Sequence, residues 1–268
     1  MKLAITHVST YTYDTPVHYA LQQLRLKPRQ GHGQTVHSWD TTVTGGKIEL
    51  NYLDPFLNHT DLVNVTPGSE RIEIVSQGLI EVQDNNGVIG SHAGCAPLWL
   101  FAEATALTAP GNHVRQLAAR VRDETTEVDA IARMHRLSSE IAEMVRYEAG
   151  HTDAGTTAEM ALTAGHGVCQ DHAHIMIAAA RVLGHPARYV SGYLYMEDRD
   201  DQDASHAWCE VWTEPLGWIG FDVANGISPD ARYVRVATGR DYTDAAPING
   251  LRQGTGGENL TVSLQVQQ

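Results

Sequence analysis

The chain has 268 residues, of which 42% are hydrophobic and 19% charged. This composition is ordinary for a globular protein and excludes wholesale disorder, and the length predicts one large domain or two smaller ones. The formal net charge is −13, which argues against a nucleic-acid partner, because binding to a phosphate backbone needs a basic surface.

The N-terminus, MKLAITHVSTYTYD, alternates apolar and polar residues and lacks the continuous apolar core of a signal peptide. No stretch is long and apolar enough to span a bilayer, so no membrane partner is expected. The three cysteines, Cys95, Cys169 and Cys209, are too few and odd in number for a disulfide framework, and they form no CxxC pair of the kind that binds zinc. We therefore expect a protein of the reducing cytoplasm.

Residues 1–107 are predicted to form a β-rich N-terminal module. In KIELNYL, Ile48, Leu50 and Tyr52 alternate with polar residues and are expected on one face of a strand. The run RIEI at 71–74 repeats this alternation, and glycine, proline and asparagine cluster between such runs, as they do in turns. The pattern favours an antiparallel β-sandwich or half-barrel.

Residues 108–268 are predicted to form a second part of mixed structure. Apolar residues at positions 114, 117, 118 and 121 follow helical spacing, and those between 131 and 145 follow it more loosely, which predicts two helices. A further helix is expected from Cys169 onwards. The runs ARYVSGYLYM, SHAWCEVWT and GWIGFDV then predict three strands, and the alternation in ENLTVSLQVQQ predicts a last one. The fold class is therefore α+β.

Cys169 follows the turn GHGV and stands at the predicted start of its helix. A helix N-terminus stabilises a thiolate, because its free N–H groups and positive partial charge lie beside the sulfur. The Cys169 N–H is itself free to bind a developing oxyanion. Two interpretations stand at this point, a nucleophile or a buried cysteine that packs as a small hydrophobe.

His206 begins a predicted strand in which residues alternate between two faces. His206 and Trp208 lie on one face and Cys209 on the other, so Cys209 is expected to be a core residue. Asp222 is the single ionisable residue of an otherwise apolar strand, where an unpaired carboxylate would be costly. The N–H of a histidine would pair with it, which gives Cys169, His206 and Asp222 the arrangement of a nucleophile, a base and an orienting carboxylate.

The pairing of these two strands decides whether His206 and Asp222 can meet. A four-residue loop between them would place Asp222 on the wrong face. A three-residue loop, Glu214 to Leu216, would instead place Asp222 opposite Trp208 and diagonal to His206, on the same face of the sheet. We predict this second register, or a bulge that keeps the same parity.

The segments GHGVCQDHAHIMIAAARVLGHPARYVSGYL, SHAWCEVW and GWIGFDVANG resemble the three core motifs of the bacterial transglutaminase-like superfamily, and the strand-rich N-terminal part is similar to the region that often precedes this core. The resemblance runs from about Tyr147 to about Tyr242. It implies a papain-like core in which the nucleophile helix packs on an antiparallel sheet, with Cys169, His206 and Asp222 as the catalytic residues. FDVANG lacks the proline that commonly follows this aspartate in the family.

Three further residues are candidates for binding substrate or an oxyanion. Tyr147 precedes the nucleophile turn and either donates to an oxyanion, as aromatic residues do in some relatives, or packs in the core. Gln170 either positions substrate or lies on the helix surface. Trp208 either borders a substrate channel beside His206 or belongs to the core.

Other polar clusters favour structural interpretations. His172 and His174 are two residues apart and do not share a helical face, so no metal site is predicted. His166 and Asp171 flank the nucleophile and are expected to make hydrogen bonds within the loop. The acidic run from Glu197 to Asp203 is expected to be a solvated hairpin tip.

The sequence therefore predicts a cysteine peptidase or amidase that cleaves an amide bond of a peptide or protein through a thioester and needs no cofactor. A transglutaminase would use an amine in place of water as the acceptor. A binding or scaffolding protein that keeps the fold without turnover is the third interpretation, but it has no need of all three catalytic residues.

Overall fold

Long antiparallel strands build the N-terminal part of the protein. The computed structural model describes residues 1–125, 129–254 and 256–268. The N-terminal strands are, in chain order, β1 (Lys2–Tyr13), β2 (Tyr19–Leu24), β3 (Gln34–Thr44), β4 (Gly46–Leu53), β5 (His59–Val65), β6 (Arg71–Val82) and β7 (Val88–Gly90). A 3-10 helix, Leu98–Ala102, follows them.

Helices and a second set of strands make up the rest of the chain. In order they are α1 (Asn112–Glu124), α2 (Ala130–Met144), β8 (Arg146–Tyr147), α3 (Ala158–Ala164), β9 (His166–Gly167), α4 (Cys169–Val182), β10 (Ala187–Leu194), β11 (Asp201–Gln202), β12 (His206–Thr213), β13 (Gly217–Phe221), β14 (Tyr233–Gly239), α5 (Tyr242–Ala245), β15 (Ile248–Gln253) and β16 (Glu258–Gln267). The predicted α+β class is confirmed, as are the two helices before the nucleophile helix.

Two antiparallel sheets form the N-terminal β-sandwich. The first has the order β11-β16-β1-β6-β3 and the second the order β15-β2-β5-β4. Their facing sides share one apolar core, to which β1 contributes Tyr11, β5 Val63 and β6 Ile72 and Ile74. Ile72 and Ile74 are both fully buried, as the alternation in RIEI predicts. The antiparallel sandwich is therefore confirmed.

The expectation for KIELNYL is wrong. β4 pairs with β5 through a register shift, in which Ile48 faces Val63 but Leu50 faces Leu62. The extra residue reverses the faces, so Ile48 packs against the sandwich core while Leu50 is 46% exposed. A β-bulge changes the parity of a strand in this way, and simple alternation cannot reveal it.

A five-stranded antiparallel sheet with the order β14-β10-β12-β13-β7 forms the centre of the second part. One of its faces packs against α4, and this core also receives α1, α2 and α3. Alternate residues of β12, among them Cys209, lie on that face, as predicted. α4 is buried almost all round, since every residue from Asp171 to Ala180 is buried.

The other face of the central sheet carries a buried ion cluster. Glu210 is fully buried, and its carboxylate accepts hydrogen bonds from Arg188 Nε at 2.6 Å and from Arg235 Nε at 2.7 Å. Burial raises the pKa of Glu210, but the two arginines outweigh it and lower the pKa to about 2. Removal of one charge from such a cluster leaves the others buried and unpaired.

The C-terminal strands return to the N-terminal sandwich. β16 pairs with β1 over ten residues, from Ala4 opposite Gln267 to Tyr13 opposite Glu258, and β15 pairs with β2. β7, in turn, joins the central sheet beside β13. The division between residues 107 and 108 stays a prediction, although strand pairing crosses that position in both directions.

Candidate active site

Cys169 is the first residue of α4 and is half-buried. Asp171 ends the preceding turn, because its Oδ2 accepts a hydrogen bond from the backbone N–H of Val168 at 2.8 Å and another from the Thr152 hydroxyl at 2.7 Å. Gly167 makes this possible, since a Cβ there would lie 2.7 Å from the Cβ of Asp171. The turn therefore holds the Cys169 sulfur and N–H at an open helix N-terminus.

The strand register brings His206 and Asp222 together. Thr213 pairs with Gly217 and Cys209 with Phe221, which confirms the predicted three-residue loop and places Asp222 beside the start of β12. Both side chains lie on the face predicted for them, and His206 Nε2 lies 2.6 Å from Asp222 Oδ2. This distance is that of a strong, charge-assisted hydrogen bond.

Two more residues, neither of them predicted from the sequence, donate side-chain hydrogen bonds to Asp222. The Tyr233 hydroxyl donates to Asp222 Oδ2 at 2.7 Å, and Asn225 Nδ2 donates to the same atom at 2.6 Å. Burial raises the pKa of Asp222, but the hydrogen bond and charge of His206, together with the other two donors, outweigh it and hold the pKa below its usual value. Asp222 is thus kept as a carboxylate.

Asn225 lies in the turn that departs from the family's proline-containing form. The backbones of Asp222 and Ile227 exchange two hydrogen bonds, at 2.8 and 3.1 Å, and Gly226 has a φ of +67°. This closed turn points the Asn225 amide back at the carboxylate. The signal for Asn225 was present in the sequence, three residues after Asp222, where an asparagine often folds back on a turn.

Cys169 lies close enough to the His206 ring to raise its pKa. Because Nε2 faces Asp222, Nδ1 is the nitrogen left for the sulfur. Burial lowers the pKa of His206, but the hydrogen bonds and the negative charges of Asp222 and Cys169 outweigh it and raise the pKa to about 10. The ring is therefore an imidazolium near neutral pH, which is the form that stabilises a thiolate beside it.

Tyr147 is a further neighbour of Cys169. β8 and β9 pair in parallel, with Tyr147 opposite Gly167, so the turn before Cys169 sets the position of the ring. The Tyr147 hydroxyl lies close enough to Cys169 for the sulfur and the backbone of that residue to influence its pKa. Burial, followed by the charge of Cys169, raises the pKa of Tyr147 to about 12, so the hydroxyl remains a donor at neutral pH.

The two other candidate residues, Trp208 and Gln170, both lie near the site, but they make different contacts. Trp208 stacks near His206, with ring centroids 6.2 Å apart, but it is only 2% exposed and packs with Tyr233 in an apolar cluster. Gln170 is half-buried, and its Nε2 donates to the backbone carbonyl of Asp153 at 3.4 Å. Trp208 therefore supports the His206 ring from behind, and Gln170 ties α4 to a neighbouring loop.

Of the other polar residues near Cys169, Asp171 makes the expected hydrogen bonds, but His166 Nδ1 is buried without a hydrogen-bond partner among the described residues. The two histidines of α4 have structural partners. Both ring nitrogens of His172 face backbone carbonyls, and His174 Nε2 accepts from the backbone of Tyr242 at 3.1 Å. Burial lowers the pKa of His174 to about 4, so this ring is neutral. Within the residues that the structure describes, no group of three or more histidine, cysteine or acidic side chains could hold a metal ion.

The acidic run and Cys209 lie where they were expected, and Cys95 lies on the surface. The residues from Glu197 to Asp203 are mostly exposed and form a hairpin tip, of which Asp201 pairs with Gln265 of β16. Cys209 is fully buried, and its thiol donates to the carbonyl of Phe221 at 3.4 Å. Cys95 is exposed, and neither cysteine has a histidine–carboxylate pair beside it.

Comparison with known proteins identifies the family. Residues 115–223 match the transglutaminase-like superfamily, and residues 3–81 match the bacterial transglutaminase-like N-terminal region. The chain belongs to the transglutaminase-like superfamily. The resemblance drawn from the three motifs is thereby confirmed.

Similar proteins span the whole length of this superfamily member. An uncharacterized protein of Mycobacterium leprae is 27% identical and covers 99% of this chain and 98% of its own. An uncharacterized protein of Mycobacterium tuberculosis is 28% identical, with 98% and 90% covered. The crystal structure of a candidate cysteine protease from Cytophaga hutchinsonii superposes with a TM-score of 0.77 at 22% identity, over all of this chain and 91% of that one. The fold is thus shared along both parts of the chain.

In the described parts of the chain, no helix combines the length and the apolar character that a membrane-spanning segment requires.

Proposed function

We propose that this transglutaminase-like protein is a cysteine hydrolase that cleaves an amide bond of a peptide or protein. The observation that carries the proposal is the convergence on one sulfur of three groups: the His206 imidazolium, held by Asp222 at 2.6 Å, the Cys169 backbone N–H at a helix start, and the Tyr147 hydroxyl. A nucleophile, an acid–base group, an orienting carboxylate and two oxyanion donors are what acyl transfer through a thiol requires.

In the first half of the proposed reaction, the Cys169 thiolate attacks the substrate carbonyl carbon and forms a carbon–sulfur bond. The carbonyl oxygen becomes an oxyanion, which accepts hydrogen bonds from the Cys169 N–H and the Tyr147 hydroxyl. As the intermediate collapses, the carbon–nitrogen bond breaks and the leaving amine takes a proton from the His206 imidazolium. The products of this half are a free amine and a thioester on Cys169.

In the second half, neutral His206 removes a proton from water as the water oxygen attacks the thioester. The carbon–sulfur bond then breaks, which releases the carboxylic acid and restores the thiolate beside the imidazolium. Asp222 stabilises the imidazolium and fixes the ring orientation throughout, with Tyr233 and Asn225 holding the carboxylate in turn. No step uses a cofactor.

Water is proposed as the acceptor because the tryptophans near the site do not wall a second channel. Trp208 and Trp218 are 2% and 0% exposed, and Trp212 packs with Trp218 on the far part of the sheet. A transferase must bind an amine beside the thioester and keep water from competing. The peptide or protein substrate belongs to the proposal, and the cytoplasmic location stays a prediction from the cysteine content.

The test uses mixed peptide pools, with and without a labelled primary amine, together with the Cys169→Ala variant. We expect the wild-type protein to cleave peptides and so create new amino termini, and to incorporate the labelled amine no faster than it cleaves. The Cys169→Ala protein should form neither product. Amine incorporation that exceeds hydrolysis would instead identify a transglutaminase. If neither product forms and a thiol-directed probe leaves Cys169 unlabelled, the protein is a binding or scaffolding member of the family.

A further inference from the structure

An open groove lies between the two sheets of the N-terminal sandwich, at the side where β15 and the start of β16 run. It has a volume of about 610 Å³, which is within the range of binding pockets. One wall is formed by Tyr11 and Tyr13 of β1 and Leu260 of β16, and the other by Gln22 of β2 and the length of β15. We call this feature the inter-sheet groove.

The strand that borders the inter-sheet groove has an unpaired edge. Among the residues that the structure describes, β15 is the last strand of its sheet and pairs with β2 alone. The backbone N–H of Arg25 donates to the carbonyl of Pro247 at 2.7 Å, so Pro247 faces β2. Because antiparallel strands alternate, the backbone groups of Ile248, Gly250 and Arg252 point away from β2. Such an edge is ready to accept another extended strand.

A buried acceptor without a donor lies in the same groove. Gln22 is only 5% exposed, and its Oε1 has no hydrogen-bond partner among the described residues. Gly250 lies directly opposite Gln22 in the sheet, and a Cβ at that position would lie 3.0 Å from Gln22 Cγ. The missing side chain leaves the space next to the amide open. Buried carbonyl oxygens are normally hydrogen-bonded, and the N–H group of a bound ligand would supply the donor that Gln22 Oε1 lacks.

Apolar surface continues the groove along β16. The inward-facing residues of this strand are buried at Leu264 and Val266, but Leu260 is 46% exposed. Opposite Leu260 in the sheet is Tyr11, so an aliphatic and an aromatic side chain line the same wall. The groove thus offers strand-edge hydrogen bonds, an amide acceptor and apolar contacts, which together suit an extended polypeptide.

The inter-sheet groove leads towards the nucleophile. Its lining includes Ala154, which follows Asp153, and the Asp153 carbonyl accepts the hydrogen bond of Gln170, the neighbour of Cys169. At the same end, Tyr242 lines the groove and lies 6.1 Å, between ring centroids, from Tyr189. Tyr189 belongs to the buried core cluster against which Cys169 packs.

We propose that the inter-sheet groove binds a second, extended stretch of the polypeptide whose amide bond lies at Cys169, as an added strand on the edge of β15. This inference rests on the proposed peptide substrate and extends it, because it makes an unfolded chain that reaches both Cys169 and the inter-sheet groove the preferred substrate. The N-terminal sandwich would then select substrates by length and extended conformation.

The test measures binding of fluorescein-labelled β-casein, an unfolded polypeptide, to the Cys169→Ala protein by fluorescence anisotropy. Leu260→Glu, introduced in that background, places a charge on the groove wall, and we expect it to raise the Kd by about tenfold or more. Leu50→Glu is the matched control, since Leu50 is also 46% exposed and lies on β4, outside the groove. We expect the control to bind casein like its parent.

Gln22→Leu is a second, independent test of polypeptide binding in the groove. It removes the unpartnered carbonyl, so the melting temperature should stay the same or rise, whereas casein binding should weaken. Equal casein affinity in the Leu260→Glu and Leu50→Glu proteins, or no casein binding by the parent, would overturn the inference. If the Leu260→Glu protein melts far below its parent, its casein binding is not interpretable and the Gln22→Leu protein becomes the deciding test. Unchanged casein affinity of the Gln22→Leu protein would then overturn the inference.

Cleavage assays separate this inference from the proposed function. If the protein with Cys169 intact cleaves casein with the same KM in the wild-type and Leu260→Glu forms, the groove inference is wrong and the hydrolase stands. If Leu260→Glu weakens casein binding but no form with Cys169 intact cleaves any peptide, the groove inference stands and the hydrolase is wrong.

Discussion

Replacement of Asp222 by asparagine should change the protonation of His206 in a direction that the structure specifies. The pKa of His206 is raised from 6.5 to about 10, which corresponds to a preference for the imidazolium of about 5 kcal/mol, at about 1.4 kcal/mol per pKa unit. Burial opposes this shift, so the preference comes from Asp222 and Cys169 together. In Cys169→Ala, where Asp222 is the only remaining charge partner, the pKa of His206 should stay above 6.5.

In the double variant Cys169→Ala/Asp222→Asn, burial is the dominant influence left. The pKa of His206 should then fall below 6.5, since burial disfavours the charged ring. The measurement is an NMR titration of the histidine ring signals, with His206 assigned by comparison with a His206→Gln protein. A pKa that remains above 6.5 in the double variant would refute the assignment of Asp222 as the partner that holds the imidazolium.

The single substitution Asp222→Asn should lower the activity and change the pH dependence of stability. Peptide cleavage by Asp222→Asn should fall by about 10³- to 10⁴-fold, because the base loses its orientation and its stabilising charge. The His206 pKa is raised on folding, so its stabilisation is complete below pH 6.5 and is lost as the pH rises towards about 10. The Asp222 pKa is lowered, so its contribution is complete above pH 3.8 and is lost at lower pH.

The free energy of unfolding of wild-type protein should therefore exceed that of Asp222→Asn most between about pH 4 and 6.5. Urea denaturation at a series of pH values measures this difference. A difference that stays constant from pH 4 to pH 9 would contradict the ion pair.

Three further predictions concern single residues. Iodoacetamide at pH 7 should label Cys169 before the exposed Cys95, with the buried Cys209 last, as read by peptide mass spectrometry; labelling of either other cysteine first would contradict the nucleophile assignment. Tyr147→Phe should lower kcat by about 10²-fold with little change in KM, because its hydroxyl is needed only once the oxyanion forms; a change confined to KM would argue for a binding role. Glu210→Gln should destabilise the fold by about 3–5 kcal/mol in urea denaturation, because it leaves two buried arginines without their counter-charge; a loss below about 1 kcal/mol would show that the cluster is solvated.

The geometry of the candidate site was predictable from the sequence where it depends on local pattern. Alternation along β12 fixed the faces of His206 and Cys209, and the length of one hairpin loop fixed the side on which Asp222 lies. Both features involve residues close in sequence, for which the two-residue period of a strand is a strong constraint. The position of Cys169 at a helix start was equally local.

Contacts between segments that are distant in the chain could not be predicted from the sequence. Tyr233 reaches Asp222 from the next strand, and nothing in the run around it distinguishes its hydroxyl from that of any core tyrosine. The return of β15 and β16 to the N-terminal sandwich depends on pairing across more than 200 residues. Strand partners at such separation are chosen by the assembled surfaces, which a single sequence does not display.

The pairing of β1 with β16 also sets an order of events during synthesis. The ribosome makes β1 first and β16 last among these elements, so β1 keeps one open edge until nearly all of the described chain has emerged. The nucleophile helix and both strands that carry His206 and Asp222 are made before that edge is covered. A nascent chain thus holds every part of the candidate active site while its first sheet is still incomplete. During that interval the exposed strand must be kept from pairing with other chains.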